Sequence, residues 1–149
     1  MIAIIGSGNL TNFLIKSLNN KSYLLISGNK NNNCKNIFAG KNLQNINNIK
    51  LPDEVDHCII NWSHTFIRNF RDFKYSIIGF ERIRKFILNN PKVKYIFISS
   101  TSAAHKVNKY SLYGLSKLLA EDIFFKLKEK NKEINIKFLR LGLIYGLDL

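Results

Sequence analysis

Acidic residues are few in this sequence: ten Asp and Glu stand against 23 Lys and Arg, a formal net charge of +13 over 149 residues. Cysteine is scarcer still. Cys34 and Cys58 lie far apart, which excludes a disulfide framework and any metal-ligand spacing. So little cysteine fits a reducing cytoplasm, the compartment expected here. No apolar run reaches the ~18 residues needed to span a bilayer, so no membrane helix is expected. The opening Met1-Ile2-Ala3-Ile4-Ile5-Gly6 has no basic lead-in and no small-residue cleavage site, and does not read as a signal peptide.

The missing acids leave a strong positive charge, and clustered Lys and Arg can bind nucleic acid by releasing counterions from phosphates. Here the excess is nearly all Lys, it is scattered without a dense stripe, and it travels with abundant Asn and Ile. All three residues have A/T-rich codons, so genome composition accounts for the charge without a partner. Nucleic-acid binding is therefore the least favoured function class.

What the chain does have is hydrophobic residues, 46% of the total, enough for one core in one domain spanning residues 1–149. Apolar runs alternate with helical patterns, the layout of a doubly wound, mostly parallel α/β sheet. Strands are expected at Met1 to Ile5, Tyr23 to Ser27, His57 to Trp62, Tyr95 to Ser99 and Ile134 to Leu141. A weak strand is expected around Asn36 to Ala39, inside an Asn- and Lys-rich connection from Gly28 to Lys50. Leu10 to Leu18 reads as a helix with Leu10, Phe13, Leu14 and Leu18 on one side. Phe66 to Leu88 keeps helical spacing through Phe66, Phe70, Phe73, Ile77, Phe80, Ile83 and Ile87, and Asn89-Asn90-Pro91 ends it. Leu112 to Lys130 is a further amphipathic helix.

Two motifs carry chemistry. Gly6-Ser7-Gly8-Asn9-Leu10-Thr11 follows the first strand and opens the first helix. Glycines at such a turn let the backbone approach a pyrophosphate, which sits on the free N–H groups of the helix end. Thr11 replaces the third glycine of G-x-G-x-x-G, so helix and strand are expected to pack less closely. The second motif is Ser99-Ser100-Thr101-Ser102 at a strand end, followed by Tyr113-Gly114-Leu115-Ser116-Lys117. Tyr and Lys four residues apart share one helix face, and an ammonium there stabilises phenolate, lowering the Tyr pKa from its usual ~10. Such a phenol can exchange a proton with a substrate alcohol or carbonyl, with a nearby hydroxyl holding the same oxygen.

Tyr95-Ile96-Phe97-Ile98-Ser99-Ser100, then Tyr113-Gly114-Leu115-Ser116-Lys117-Leu118-Leu119-Ala120-Glu121, and finally Leu139-Arg140-Leu141-Gly142-Leu143-Ile144-Tyr145-Gly146 resemble the extended short-chain dehydrogenases. Those are the nucleotide-sugar epimerases, dehydratases and reductases. The resemblance implies a Rossmann fold binding NAD or NADP and a Ser/Thr-Tyr-Lys group. In it Tyr113 is the acid/base, and Lys117 lowers its pKa and grips the nicotinamide ribose. Ser100, thirteen residues before Tyr113, supplies the hydroxyl, with Thr101 as the alternative. Gly6, Ser7, Gly8, Asn9, Leu10 and Thr11 contact the dinucleotide.

The chain departs from that pattern in several places. Ser27-Gly28-Asn29-Lys30 has a basic residue and no acid at the end of the second strand, which leans toward the 2′-phosphate of NADP through Lys30. Asn61-Trp62-Ser63-His64 replaces a pair of small residues beneath the cofactor, so Trp62 is expected to stack beside it or crowd it. Ser76 stands where a helix asparagine is common. His64 and His105 read as surface or structural histidines. No substrate-binding lobe follows the Arg140 strand before Leu149: another subunit completes the pocket, or the chain is a fragment, or catalysis is lost.

The expected function is thus an NAD(P)-dependent oxidoreductase or epimerase acting on a nucleotide-sugar or similar carbonyl/alcohol substrate. The rival is a non-catalytic dinucleotide-binding or assembly subunit derived from such an enzyme. A homodimer is expected through the second and third helices, because Tyr75, Ile78, Phe86, Phe124 and Phe125 exceed what one buried stripe requires.

Overall fold

The computed structural model describes residues 1–18, 22–28, 36–63, 67–103 and 111–142. Six strands form one all-parallel sheet: β1 (Ile2–Ile5), β2 (Tyr23–Ser27), β3 (Asn36–Phe38), β4 (His57–Ile60), β5 (Lys94–Ser100) and β6 (Asn135–Leu141). Their order is β3-β2-β1-β4-β5-β6. This is the order of a Rossmann sheet, and its direction reverses between β1 and β4. Parallel strands buried on both faces call for continuous apolar runs, and Ala3-Ile4-Ile5 and Leu24-Leu25-Ile26 supply them.

Among the described residues three α-helices accompany the sheet: α1 (Asn9–Ser17), α2 (Phe70–Asn89) and α3 (Leu112–Lys130). Right-handed crossovers place α1 on one face and α2 and α3 on the other, because the chain leaves β1 and β4 in opposite directions. The α2/α3 face holds most of the core. Ala3, Ile5, Ile26, Cys58, Ile60, Tyr95, Phe97 and Ile136 alternate along the strands and meet Phe80, Ile83, Phe86, Ala120 and Phe124 from the helices. Aromatic rings interlock there edge to face, Phe97 on Phe124 at 5.0 Å and Phe80 on Phe97 at 5.8 Å. Between β3 and β4 the chain makes two single-turn 3-10 segments, Lys41–Leu43 and Ile46–Asn48, pinned to α2 by Arg82 Nη1 donating to the Asn42 carbonyl at 2.7 Å.

Local chemistry sets the helix bounds. Ser111 caps α3 by accepting from the Gly114 N–H at 3.0 Å, so α3 spans the residues that its periodicity predicts. α2 starts at Phe70 rather than Phe66, because the Asn69 side chain accepts from the Asp72 N–H at 2.9 Å. Phe66 itself lies outside the described residues. Phe70, counted toward the apolar stripe from its spacing, is 74% exposed in the first turn. At the other end Asn90 receives the Leu51 N–H and donates to the Phe86 carbonyl, joining α2 to the segment before β4.

α1 differs from its expected face. Phe13 is 60% exposed, and the fully buried side chain of the helix is Thr11. The strand before α2 is also shorter than expected, ending at Ile60, one residue after which the Asn61 N–H still donates to the Ile5 carbonyl of β1 at 2.9 Å.

Candidate active site

The C-terminal ends of β1, β4 and β5 meet the starts of α1 and α3 at the edge where the strand order reverses, the place where open α/β sheets bind ligands. β1 runs into Gly6, whose φ of +132° favours glycine, and a Cβ there would lie 2.9 Å from the Asn61 carbonyl oxygen. The turn therefore presses against the end of β4. Gly8 caps α1 without any side-chain hydrogen bond, and the first turn holds no acid. A Cβ on Gly8 would meet no atom within 4 Å. The first N–H groups of an α-helix have no partner within it, and at this end of α1, which no side chain caps, an anion such as a pyrophosphate fits their donor character and the helix dipole.

The Thr11 side chain lies between α1 and the end of β4. Its Oγ1 accepts a 2.9 Å hydrogen bond from Asn61 Nδ2, and the side chain is fully buried. Ser7 and Asn9 are exposed and Leu10 half-buried, so this segment presents surface at the same edge.

Tyr113 and Lys117 lie one turn apart near the start of α3. Gly114 allows the approach, because a Cβ there would lie 2.6 Å from the Ser102 carbonyl oxygen. The helix start is thereby set against the turn that follows Ser100. Ser100 closes β5, and its Oγ accepts from the Ser102 N–H at 3.2 Å, which leaves its own proton free to donate. Thr101 is exposed in that turn.

Lys117 is 3% exposed. Its Nζ donates to the Ile98 carbonyl at 3.1 Å and the Trp62 carbonyl at 3.4 Å, tying α3 to the ends of β5 and β4. The ammonium also lies over the rings of Phe97, Phe80 and Tyr113, at 5.2, 5.7 and 5.9 Å from their centroids. Burial lowers its pKa to about 8, opposed in part by the Glu121 carboxylate one turn on. Glu121 is in turn held by Arg140 of β6 through two hydrogen bonds of 2.9 and 2.6 Å.

Tyr113 is 37% exposed, and burial of its phenol pushes its pKa up. This reverses the expectation that Lys117 lowers it. The ammonium faces the tyrosine ring and spends its bonds on backbone carbonyls, so it does not reach the phenol oxygen's titration.

Trp62 also departs from expectation. Its indole belongs to the core, edge-on to Phe80 at 5.2 Å, and it packs so closely on α2 that a Cβ at Gly79 would fall 1.9 Å from the ring. What Trp62 gives the site is its carbonyl, the acceptor for Lys117. Ser76, one turn before Gly79, is fully buried with no partner for its hydroxyl among the described residues. Lys30, His64 and His105 lie outside the described residues. Sequence reading missed Asn61 and the carbonyls of Ile98 and Trp62. Asn61, a polar residue directly after an apolar strand, was the available signal; carbonyls leave none.

A strained turn lies along the same edge, where Asn42 and Leu43 hold φ of 52° and 57°. A Cβ at Gly28, at the end of β2, would approach the Gly40 oxygen of that turn at 3.2 Å. Among the described residues no group of three or more His, Cys, Asp or Glu could hold a metal ion, and no helix is long and apolar enough to cross a membrane.

No family profile and no curated protein matches the sequence. Solved structures do. UDP-N-acetylglucosamine 4-epimerase from Bacillus cereus superimposes with a TM-score of 0.75 at 17% identity over 99% of this chain and 55% of its own. This is the fold of the short-chain dehydrogenases. UDP-glucuronic acid 4-epimerase from Bacillus cereus, solved in complex with NAD, gives 0.73 at 18% identity over 98% of this chain and 58% of its own. Serine dehydrogenase from Escherichia coli gives 0.73 at 13% identity, covering 99% of this chain and 85% of its own. The chain spans about half the length of the epimerases it resembles.

Proposed function

We propose that residues 1–149 form the NAD(P)-binding domain of a short-chain dehydrogenase-type oxidoreductase or epimerase. Its substrate would be a nucleotide-sugar or a similar carbonyl/alcohol compound. The observation that carries this reading is the setting of Tyr113 and Lys117: a half-exposed phenol at the start of α3, and a buried ammonium fixed by the ends of β4 and β5. A surface lysine beside a core tyrosine would have neither the burial nor the backbone partners.

In this reading the pyrophosphate of the dinucleotide rests on the N–H groups of α1 beside Gly6, Ser7, Gly8, Asn9 and Leu10, with Thr11 behind them. The bound nicotinamide supplies hydride transfer. Tyr113 exchanges a proton with the substrate oxygen, and Ser100, or Thr101 in its place, holds that oxygen by a hydrogen bond. Lys117 positions the cofactor ribose. NADP(H) is modestly preferred over NAD(H), since Ser27 and Gly28 offer no acid at the end of β2 and Lys30 follows. The compartment is the cytoplasm.

The alternative, a non-catalytic dinucleotide-binding or assembly subunit, draws on two observations. Burial holds Tyr113 away from easy ionisation, and the chain spans about half of the epimerase structures. A homodimer through α2 and α3 remains part of the proposal, with a narrower basis than their composition suggested. Phe86 and Phe124 are core residues, which leaves Phe70, 74% exposed, and Phe125, 52% exposed, with Leu88, Tyr113 and Leu119 as the large exposed apolar side chains of these helices.

Calorimetric titration with NAD+, NADH, NADP+ and NADPH tests the proposal. Heat and a thermal shift with at least one of them is the expected result; none with any would end it. Tighter binding of NADH than NADPH would overturn the Lys30 argument alone. Where turnover of a carbonyl substrate is found, Tyr113→Phe lowers it at least ~100-fold, the scale of a positioned acid/base.

A further inference from the structure

Asn61 occupies a joint between the two halves of the site. Its N–H donates to the Ile5 carbonyl at 2.9 Å, and its carbonyl crowds the space that a Cβ on Gly6 would fill. Its side-chain amide donates to Thr11 Oγ1 at 2.9 Å, and the carbonyl of the next residue, Trp62, receives Lys117. A glycine at position 11 would let α1 settle onto the sheet by bare backbone contact. Here a fully buried threonine stands between them, and a buried hydroxyl needs a partner to be tolerated.

We infer that Thr11 and Asn61 form a polar latch that replaces glycine packing and sets the height and angle of the α1 N-terminus against the end of β4. Both are positioning residues. They act through the α1 N–H groups, and through Trp62 they join that helix end to Lys117. The inference rests on the dinucleotide reading of the site and adds to it a chain-specific device. It makes a prediction opposite to motif restoration: Thr11→Gly, which completes G-x-G-x-x-G, weakens binding because the Asn61 amide loses its acceptor.

The test is calorimetric titration of NADPH and NADH into the full chain and into Thr11→Val, Thr11→Gly, Thr11→Ser, Asn61→Leu and the Thr11→Val/Asn61→Leu pair, with melting temperatures recorded for each. Thr11→Val and Asn61→Leu each weaken binding about tenfold, the effect of orphaning one buried polar partner. The double variant is no weaker than the singles, because the same bond is lost once. Thr11→Ser, which keeps the oxygen, binds like the parent. If Asn61→Leu does not fold, Asn61→Ser takes its place with the same expectation.

Three results overturn the latch while leaving the dinucleotide reading intact: parental affinity in Thr11→Val, losses that multiply in the double variant, or tighter binding by Thr11→Gly. Affinities that merely follow melting temperature, with no rescue by Thr11→Ser, also overturn it. A parent that binds neither dinucleotide overturns the dinucleotide reading and the latch together.

Discussion

The two halves of this molecule are built differently. From β4 to β6 the chain makes two long helices over a sheet face filled with interlocking aromatic rings. From β1 to β3 the buried strand residues are aliphatic or small, α1 has nine residues, and its fully buried side chain is a hydrogen-bonded threonine. In the proposed function the first half would offer backbone N–H groups to a ligand and the second would offer side chains to a reaction. Helix-end donors need only a correctly aimed helix, and a short one suffices. A buried ammonium needs a stiff surround, and the aromatic core provides it.

The largest effect that sharpens this contrast is on stability. Phe97→Ala removes a ring in contact with Phe80, Phe124 and Phe138 and should lower unfolding free energy by ~3–5 kcal/mol in chemical denaturation. Leu14→Ala on the half-buried face of α1 should lose roughly half of that or less, since much of its surface is already in water. Equal losses would break the distinction between a stiff half and a light one.

Next is Lys117, whose charge the second half bears at a cost. Its pKa falls from 10.5 unfolded to about 8 folded. Between those values the unfolded chain holds more protons, so this group makes stability rise with pH from about 8 to 10.5, by up to ~3 kcal/mol. Below pH 8 both states are protonated and the penalty is fully present. Lys117→Met should lack this rise, and its advantage over the parent at pH 7 should shrink by pH 10 in paired denaturation curves. Parallel curves for parent and variant would show that the ammonium is not desolvated.

Gly79→Ala comes third. Its methyl would fall 1.9 Å from the Trp62 ring, and displacing that ring should cost ~1–3 kcal/mol. The loss should shrink when Trp62 is also changed to Leu, because the clash is specific to the indole. An unchanged loss in the double variant would place the effect elsewhere in α2.

The same contrast explains what the sequence made legible. α3 was readable to both ends, because a serine cap and an amphipathic run agree with its tertiary role. The sheet was readable because parallel strands need apolar runs, and the described part of the loop-rich link before β4 holds a three-residue strand and two single-turn 3-10 segments. The errors fall where side chains do something other than fill a stripe. Phe13 lies outward and Thr11 inward, since one hydrogen bond to Asn61 outweighed the apolar pattern of a short helix. Trp62 was expected beside the cofactor, yet the small residue that accommodates it, Gly79, lies seventeen positions away in sequence and meets it only in the fold. The pKa of Tyr113 moved opposite to expectation because spacing along a helix does not say which atoms an ammonium faces. Acceptors of Lys117 are carbonyls, which no residue type announces.

The central claim is that the open N-terminus of α1 is a dinucleotide site, and Gly8→Asp tests it most directly. Gly8 has extended backbone angles that any residue adopts, and a Cβ there touches nothing, so the fold tolerates the change. Aspartate at a helix cap should leave stability equal or higher by a few tenths of a kcal/mol. Its carboxylate beside a pyrophosphate should nonetheless repel it by ~4 kcal/mol at an effective dielectric of about 20, a loss of at least ~100-fold in affinity. The account predicts a variant that melts no lower than the parent and binds neither NADPH nor NADH in calorimetry. Parental affinity in Gly8→Asp, at unchanged stability, would contradict it.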